Sequence, residues 1–134
     1  MHKKLSGIFI LFVLASCGKQ KDLIPNVYVE YNVTVQEFNI KAVNRVLLVP
    51  DHGVKGLMIV ATGNGYVTFD RCSSVDPQNG CQVSPDDSGI TATDPCTGAK
   101  YLLTDGSPQK APAVRSLKTY TTTLRGGLTI NVSN

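Results

Sequence analysis

From residue 26 apolar and polar positions alternate, with Val27, Val29, Tyr31, Val33 and Val35 on one face and Tyr28, Glu30, Asn32 and Thr34 on the other. A period of two belongs to a half-buried strand, and this run predicts a long one over 27–35. Residues 43–49 predict a second strand, closed by Pro50-Asp51-His52-Gly53. A third lies over 57–61 and is closed by Thr62-Gly63-Asn64-Gly65. Asn-Gly between apolar runs signals a hairpin, and 66–69 supplies the returning strand. Residues 70–98 hold three Pro, three Gly and three Cys with little apolar content, which marks a loop-rich insertion. A strand resumes at 101–103, and Asp105-Gly106-Ser107-Pro108 turns the chain. Residues 118–124 and 128–132 then close as a hairpin around Arg125-Gly126-Gly127. The helix candidate, 36–44, is too brief to change the class. The pattern predicts an all-β sandwich or barrel with a smaller lobe over about 70–104.

The front end follows a different rule. Lys3 and Lys4 precede ten mostly apolar residues, 5–14, where a membrane-spanning helix needs about 20. This is the build of a secretory signal. The ending Leu14-Ala15-Ser16-Cys17 resembles the lipobox of bacterial lipoproteins, whose peptidase cuts before the cysteine. The resemblance implies that 1–16 is removed and that Cys17 carries a diacylglycerol thioether and an acylated amine. Such a triple chain exceeds the two signals needed for stable anchoring. Residues 17–25 then form a lipidated tether and 26–134 the domain. The expected partner is membrane lipid, and the expected address is the bacterial cell envelope, exported to the periplasm or the outer-membrane surface.

Composition narrows the function classes. The 134 residues are 42% apolar and 17% charged, enough for one small domain. The formal charge of +3 counts Lys3 and Lys4, so eleven basic against ten acidic residues leave +1 behind the signal. A nucleic-acid partner is excluded on that balance. Ser73, Ser74 and Ser84 have no histidine and carboxylate partners for nucleophilic catalysis. Asp86-Asp87-Ser88-Gly89 lacks the alternating oxygens of a calcium loop and reads as a turn. The sequons at Asn32 and Asn131 read as polar faces of strands.

Several segments occur in an order that resembles Rieske-type [2Fe-2S] proteins. They are Tyr66-Val67-Thr68-Phe69-Asp70-Arg71-Cys72, Asp94-Pro95-Cys96-Thr97-Gly98-Ala99-Lys100-Tyr101, Asp105-Gly106, and Ala111-Pro112-Ala113 through Leu117 to Tyr120. The preceding run from His52 to Ile59 is similar to that of small bacterial Rieske-like lipoproteins. The resemblance covers about residues 24–132 and implies a Rieske-like β fold. In that family two thiolates hold one iron and two imidazoles the other, which raises the potential. The matching positions here are Cys72, Ser74, Asp94 and Thr97, so one ligand of four is kept. His52, the one histidine behind the signal, sits on a different loop. Ser74 and Thr97 cannot act as neutral imidazoles, and Asp94 is a hard donor in place of a soft thiolate. The expectation is a scaffold without cofactor or metal, serving a binding or structural role rather than catalysis, with its protein partner unnamed. The alternative is an electron-transfer component whose [2Fe-2S] cluster has unconventional ligands.

The resemblance also implies a disulfide between the two loops, since some family members link them through non-ligand cysteines. Cys96 matches one partner; Cys81 is the preferred other, with Cys72 as competitor. Export favours such a bridge. Three free thiols, or a zinc held by Cys72, Cys81, Cys96 and Asp94, are the other arrangements the sequence permits.

Overall fold

The computed structural model describes residues 24–134; the expected signal segment, Cys17 and the tether as far as residue 23 lie outside the described residues. The described residues form ten strands and one short helix: β1 (Glu30–Thr34), α1 (Val35–Lys41), β2 (Val46–Val49), β3 (Leu57–Thr62), β4 (Gly65–Asp70), β5 (Ser84–Pro85), β6 (Thr91–Thr93), β7 (Lys100–Leu102), β8 (Pro108–Lys110), β9 (Thr119–Arg125) and β10 (Thr129–Ser133). A single 3-10 turn, Pro77–Asn79, lies between β4 and β5. The larger sheet has the order β1-β10-β9-β4-β3-β2 and curls into a half-barrel; the smaller has the order β5-β6-β7-β8. All pairings are antiparallel. The all-β class and the second, smaller sheet agree with the sequence pattern. Among the described residues no helix is long and apolar enough to cross a membrane.

β3 shows why its sequence is apolar without alternation. Leu57 and Ile59 face a core inside the curled sheet, with Val29, Val33, Phe38, Ile130 and Val132. Met58 and Val60 face the opposite way, into a second core with Phe69, Val83, Tyr101, Leu103 and Leu117 that joins the sheet to the lobe. A strand covered on both faces has no polar side to alternate. Gly106 lets the chain pass close to this second core: its φ is +78°, and a Cβ there would meet the Phe69 ring at 2.8 Å.

Several boundaries differ from the sequence reading: the strand expected over 43–49 is only Val46–Val49, with Val43 in an isolated bridge to Val46. The strand expected over 27–35 is only Glu30–Thr34, because the ladder with β10 begins at Glu30↔Ser133 and ends at Thr34↔Thr129. Its alternation persists, with Val29 and Val33 buried and Tyr28 85% exposed. The chain then turns into α1, one residue ahead of the helix candidate. Thr34 Oγ1 accepts from the Glu37 amide at 3.0 Å, Lys41 pairs with Glu37 at 2.6 Å, and Phe38 supplies the buried face. The closing hairpin forms one residue later than expected, around Gly126 and Gly127 at φ +58° and +68°.

Candidate functional site

The site lies where two loops of the lobe meet, residues 72–83 after β4 and residues 94–99 between β6 and β7. Both loops begin alike. In Asp70-Arg71-Cys72 the Asp70 carboxylate accepts from the Cys72 amide at 2.8 Å. In Asp94-Pro95-Cys96 the Asp94 carboxylate accepts from the Cys96 amide at 2.8 Å. Each Asp thus folds the chain over its own side chain two residues on.

Asp70 is fully buried and anchors the first loop to the half-barrel. Besides Cys72, it accepts from the Val54 amide (2.6 Å), the Lys55 amide (3.1 Å) and the Tyr120 hydroxyl (2.7 Å). Gly53 makes room for it: φ is +66°, and a Cβ would lie 2.5 Å from Asp70 Oδ2. Burial, the Asp70 hydrogen bond and the Asp70 charge push the Tyr120 hydroxyl well above its ordinary range, so it serves as a donor.

Cys72 is buried and unpaired, with its sulfur against the Ser73 and Pro77 carbonyls at 3.7 and 3.8 Å. Burial foremost, then the Asp70 charge, with Lys55 opposing, pushes the thiol up to about 11. At neutral pH it is a protonated thiol.

A chain of hydroxyls fills the space between the loops. Ser73 Oγ donates to Asp94 Oδ2 at 2.7 Å and lies 3.3 Å from the Tyr101 hydroxyl. Tyr101 Oη meets Ser74 Oγ at 2.8 Å, and Ser74 Oγ donates to the Arg115 carbonyl at 2.8 Å. Thr97 Oγ1 donates to Asp94 Oδ2 at 2.9 Å. Asp94 therefore receives three donors while wholly buried, and Tyr101 is equally buried. Cys81 and Cys96 are joined by a disulfide, with Cα atoms 6.2 Å apart. The preferred pairing of the sequence reading is the one present, and Cys72 is left free.

No protein-family model matches the chain, and no curated protein matches it by sequence. Its structure is nevertheless similar to known ones. The plasma-membrane Rieske protein PetC3 of the cyanobacterium Synechocystis PCC 6803 matches with a TM-score of 0.54 at 26% identity, over 81% of this chain and 99% of that one. The ferredoxin of carbazole 1,9a-dioxygenase from Nocardioides aromaticivorans IC177 matches at 0.53 and 15% identity, over 80% and 97%. A chain of the oxygenase–ferredoxin complex in carbazole 1,9a-dioxygenase matches at 0.55 and 16%, over 78% and 93%. The domain is Rieske-like.

The Rieske-like domain brings Asp94 and Thr97 into direct contact and links Asp94 through Ser73 and Tyr101 to Ser74. Cys72 shares the first loop with Ser73 and Ser74 but takes no part in the network. A [2Fe-2S] cluster of this fold family requires two thiolates and two imidazoles. Here the four positions matched by the sequence offer one high-pKa thiol, two hydroxyls and a carboxylate, each already bonded within the protein. Among the described residues no buried side-chain polar atom lacks a partner. This donor set does not fit the cluster. His52 is remote in role as well as sequence: its Nδ1 lies 3.0 Å from the Pro50 carbonyl, and its ring packs edge-on against Tyr31. Asp86 is a turn residue held by Thr91, Thr93 and Lys100.

Ser73, Tyr101 and the anchoring Asp70–Tyr120 pair are absent from the sequence-derived site. The repeated Asp-x-Cys triplet was the available signal for Asp70 and Asp94. Nothing local marks Ser73, whose partner lies 21 residues away.

Proposed function

We propose that this chain is a lipid-anchored protein of the bacterial envelope whose Rieske-like domain carries no cluster and works as a binding or structural module. One observation carries the reading: the matched ligand positions hold hydroxyls and a carboxyl in place of imidazoles and a thiolate, and their hydroxyls are bonded to one another and to Asp94 Oδ2 through Ser73 and Tyr101. A network of satisfied hydrogen bonds gives the lobe a fixed shape without metal, and the Cys81–Cys96 bridge ties its two loops. The signal-like segment ahead of Cys17 supports export and anchoring, and the oxidised cysteine pair suits an exported protein.

A second reading, an electron-transfer component with an unconventionally held [2Fe-2S] cluster, is favoured by the likeness to a plasma-membrane Rieske protein. An absorption spectrum and a spin-resonance spectrum after dithionite reduction separate the two. The cluster-free reading expects a colourless protein and no signal from a reduced cluster. A visible charge-transfer spectrum that bleaches on reduction, with a paramagnetic signal appearing, would establish the second.

A further inference from the structure

The ligand atoms of Cys81, Cys96 and Asp94 all lie within 4.8 Å of one another. We infer that reduction of the Cys81–Cys96 disulfide converts the lobe tip into a zinc site made of these two thiolates and the Asp94 carboxylate.

The chemistry balances with a dithiol reductant of the thioredoxin class. Two electrons and two protons pass from that dithiol to the Cys81–Cys96 bond, which breaks as the reductant closes its own disulfide. Zinc then displaces both thiol protons. Zinc–sulfur bonds of about 2.3 Å and zinc–oxygen bonds of about 2.0–2.2 Å place ligand atoms about 3.5–4 Å apart in a tetrahedron. Parting the two sulfurs to that spacing is a small movement from Cα atoms 6.2 Å apart. Cys96 is exposed and Cys81 half-buried, so metal and reductant both have access.

Asp94 has capacity left for a metal. Its Oδ2 takes the hydroxyls of Ser73 and Thr97, while Oδ1 takes only the Cys96 amide. A carboxylate has about four lone-pair sites, so one on Oδ1 remains. Zinc accepts both thiolate and carboxylate, whereas calcium and magnesium reject the sulfurs. Three protein ligands leave a fourth position for water.

The loops do not depend on the disulfide alone. Ser73 N donates to the Cys81 carbonyl at 2.9 Å, Cys72 bridges Gln82, and the Asp94 and Gly98 amides close the second loop at 2.8 Å. These bonds hold both thiols near Asp94 after reduction. Cys72 stays outside the site, its sulfur turned to the Ser73 and Pro77 carbonyls.

The test titrates the purified full-length mature protein, reduced by a phosphine, with cobalt(II) as an optical substitute for zinc. One equivalent should bind with thiolate-to-cobalt charge transfer, release two protons, and be displaced by zinc, while the oxidised protein shows no such band. Cys81→Ser and Cys96→Ser should each abolish the band and Cys72→Ala should keep it. Asp94→Asn should weaken affinity by more than the roughly 10–100-fold typical of losing an outer-shell partner. Absence of the band in the reduced protein, its loss in Cys72→Ala, or loss of the β circular-dichroism spectrum on reduction would each overturn the inference. The readout is cobalt and thiol state, so it succeeds or fails separately from the search for an iron–sulfur cluster.

Discussion

Ser73 and Asp94, 21 residues apart in the chain, are joined by a buried hydrogen bond of 2.7 Å that ties the first lobe loop to the second. The bond is short and shielded from water, a setting in which such contacts are strong. Asp94 is wholly buried, and three groups donate to its carboxyl oxygens.

Ser73→Ala should therefore destabilise the domain by about 1–3 kcal/mol, the cost of leaving a buried acceptor one donor short. Urea unfolding measures it as a lower midpoint with unchanged slope. A midpoint equal to that of the parent protein would show that the hydroxyl contributes nothing.

Replacing Cys81 and Cys96 together by Ser opens the 15-residue link between the loops. The chain-entropy model gives a loss of about 3 kcal/mol. The melting temperature of the double variant against the oxidised parent checks this, and peptide mapping of the parent should recover Cys81 joined to Cys96 with Cys72 alkylated only after unfolding.

Alkaline pH should weaken the fold in two stages. Cys72 is raised from 9.0 to about 11, chiefly by burial, and Tyr120 is raised above 10.0 by burial and Asp70. Both groups keep their protons in the folded state at a pH where the unfolded chain releases them. Their stabilising effect is whole below the unfolded values and is lost as pH rises toward the folded ones. Stability should fall from about pH 9 with a slope of up to about 1.4 kcal/mol per pH unit for each group. Cys72→Ala should remove the stage between pH 9 and 11 and leave the later one; an identical profile in that variant would contradict the assignment.

The strands that could be read from sequence are those with a local cause. The Thr62-Gly63-Asn64-Gly65 cluster fixes one hairpin, although its loop residues are Gly63 and Asn64 rather than Asn64 and Gly65, Gly126-Gly127 fixes the other, and the unbroken run of β3 reflects burial on both faces. α1 was less legible because Val35 continues the alternation of β1, although Thr34 and Glu37 already form the Ser/Thr-x-x-Glu pattern that starts a helix. β5, β6 and β8 are only two or three residues long and exist through pairing with the neighbouring strand, such as Ser84↔Thr93 and Lys100↔Lys110, so no periodicity announces them. The site divides in the same way. Cys81 and Cys96 came from the likeness to a family, and the pair is present as a disulfide. Ser73 and Tyr101 are ordinary residues made important by long-range contacts, which a period-based reading does not see.

Cys17→Ser should abolish labelling by a fatty-acid probe and leave the precursor uncut, because a hydroxyl cannot carry the thioether. Labelling at the parental level would remove the anchor from the account.

The most direct measurement of the central claim is the iron and acid-labile sulfide content of the mature protein, purified anaerobically from cells grown with ample iron. A Rieske-like lobe held by the Asp94–Ser73–Tyr101–Ser74 network predicts neither element above trace levels. Stoichiometric iron with matching sulfide would contradict it and make the domain an electron carrier.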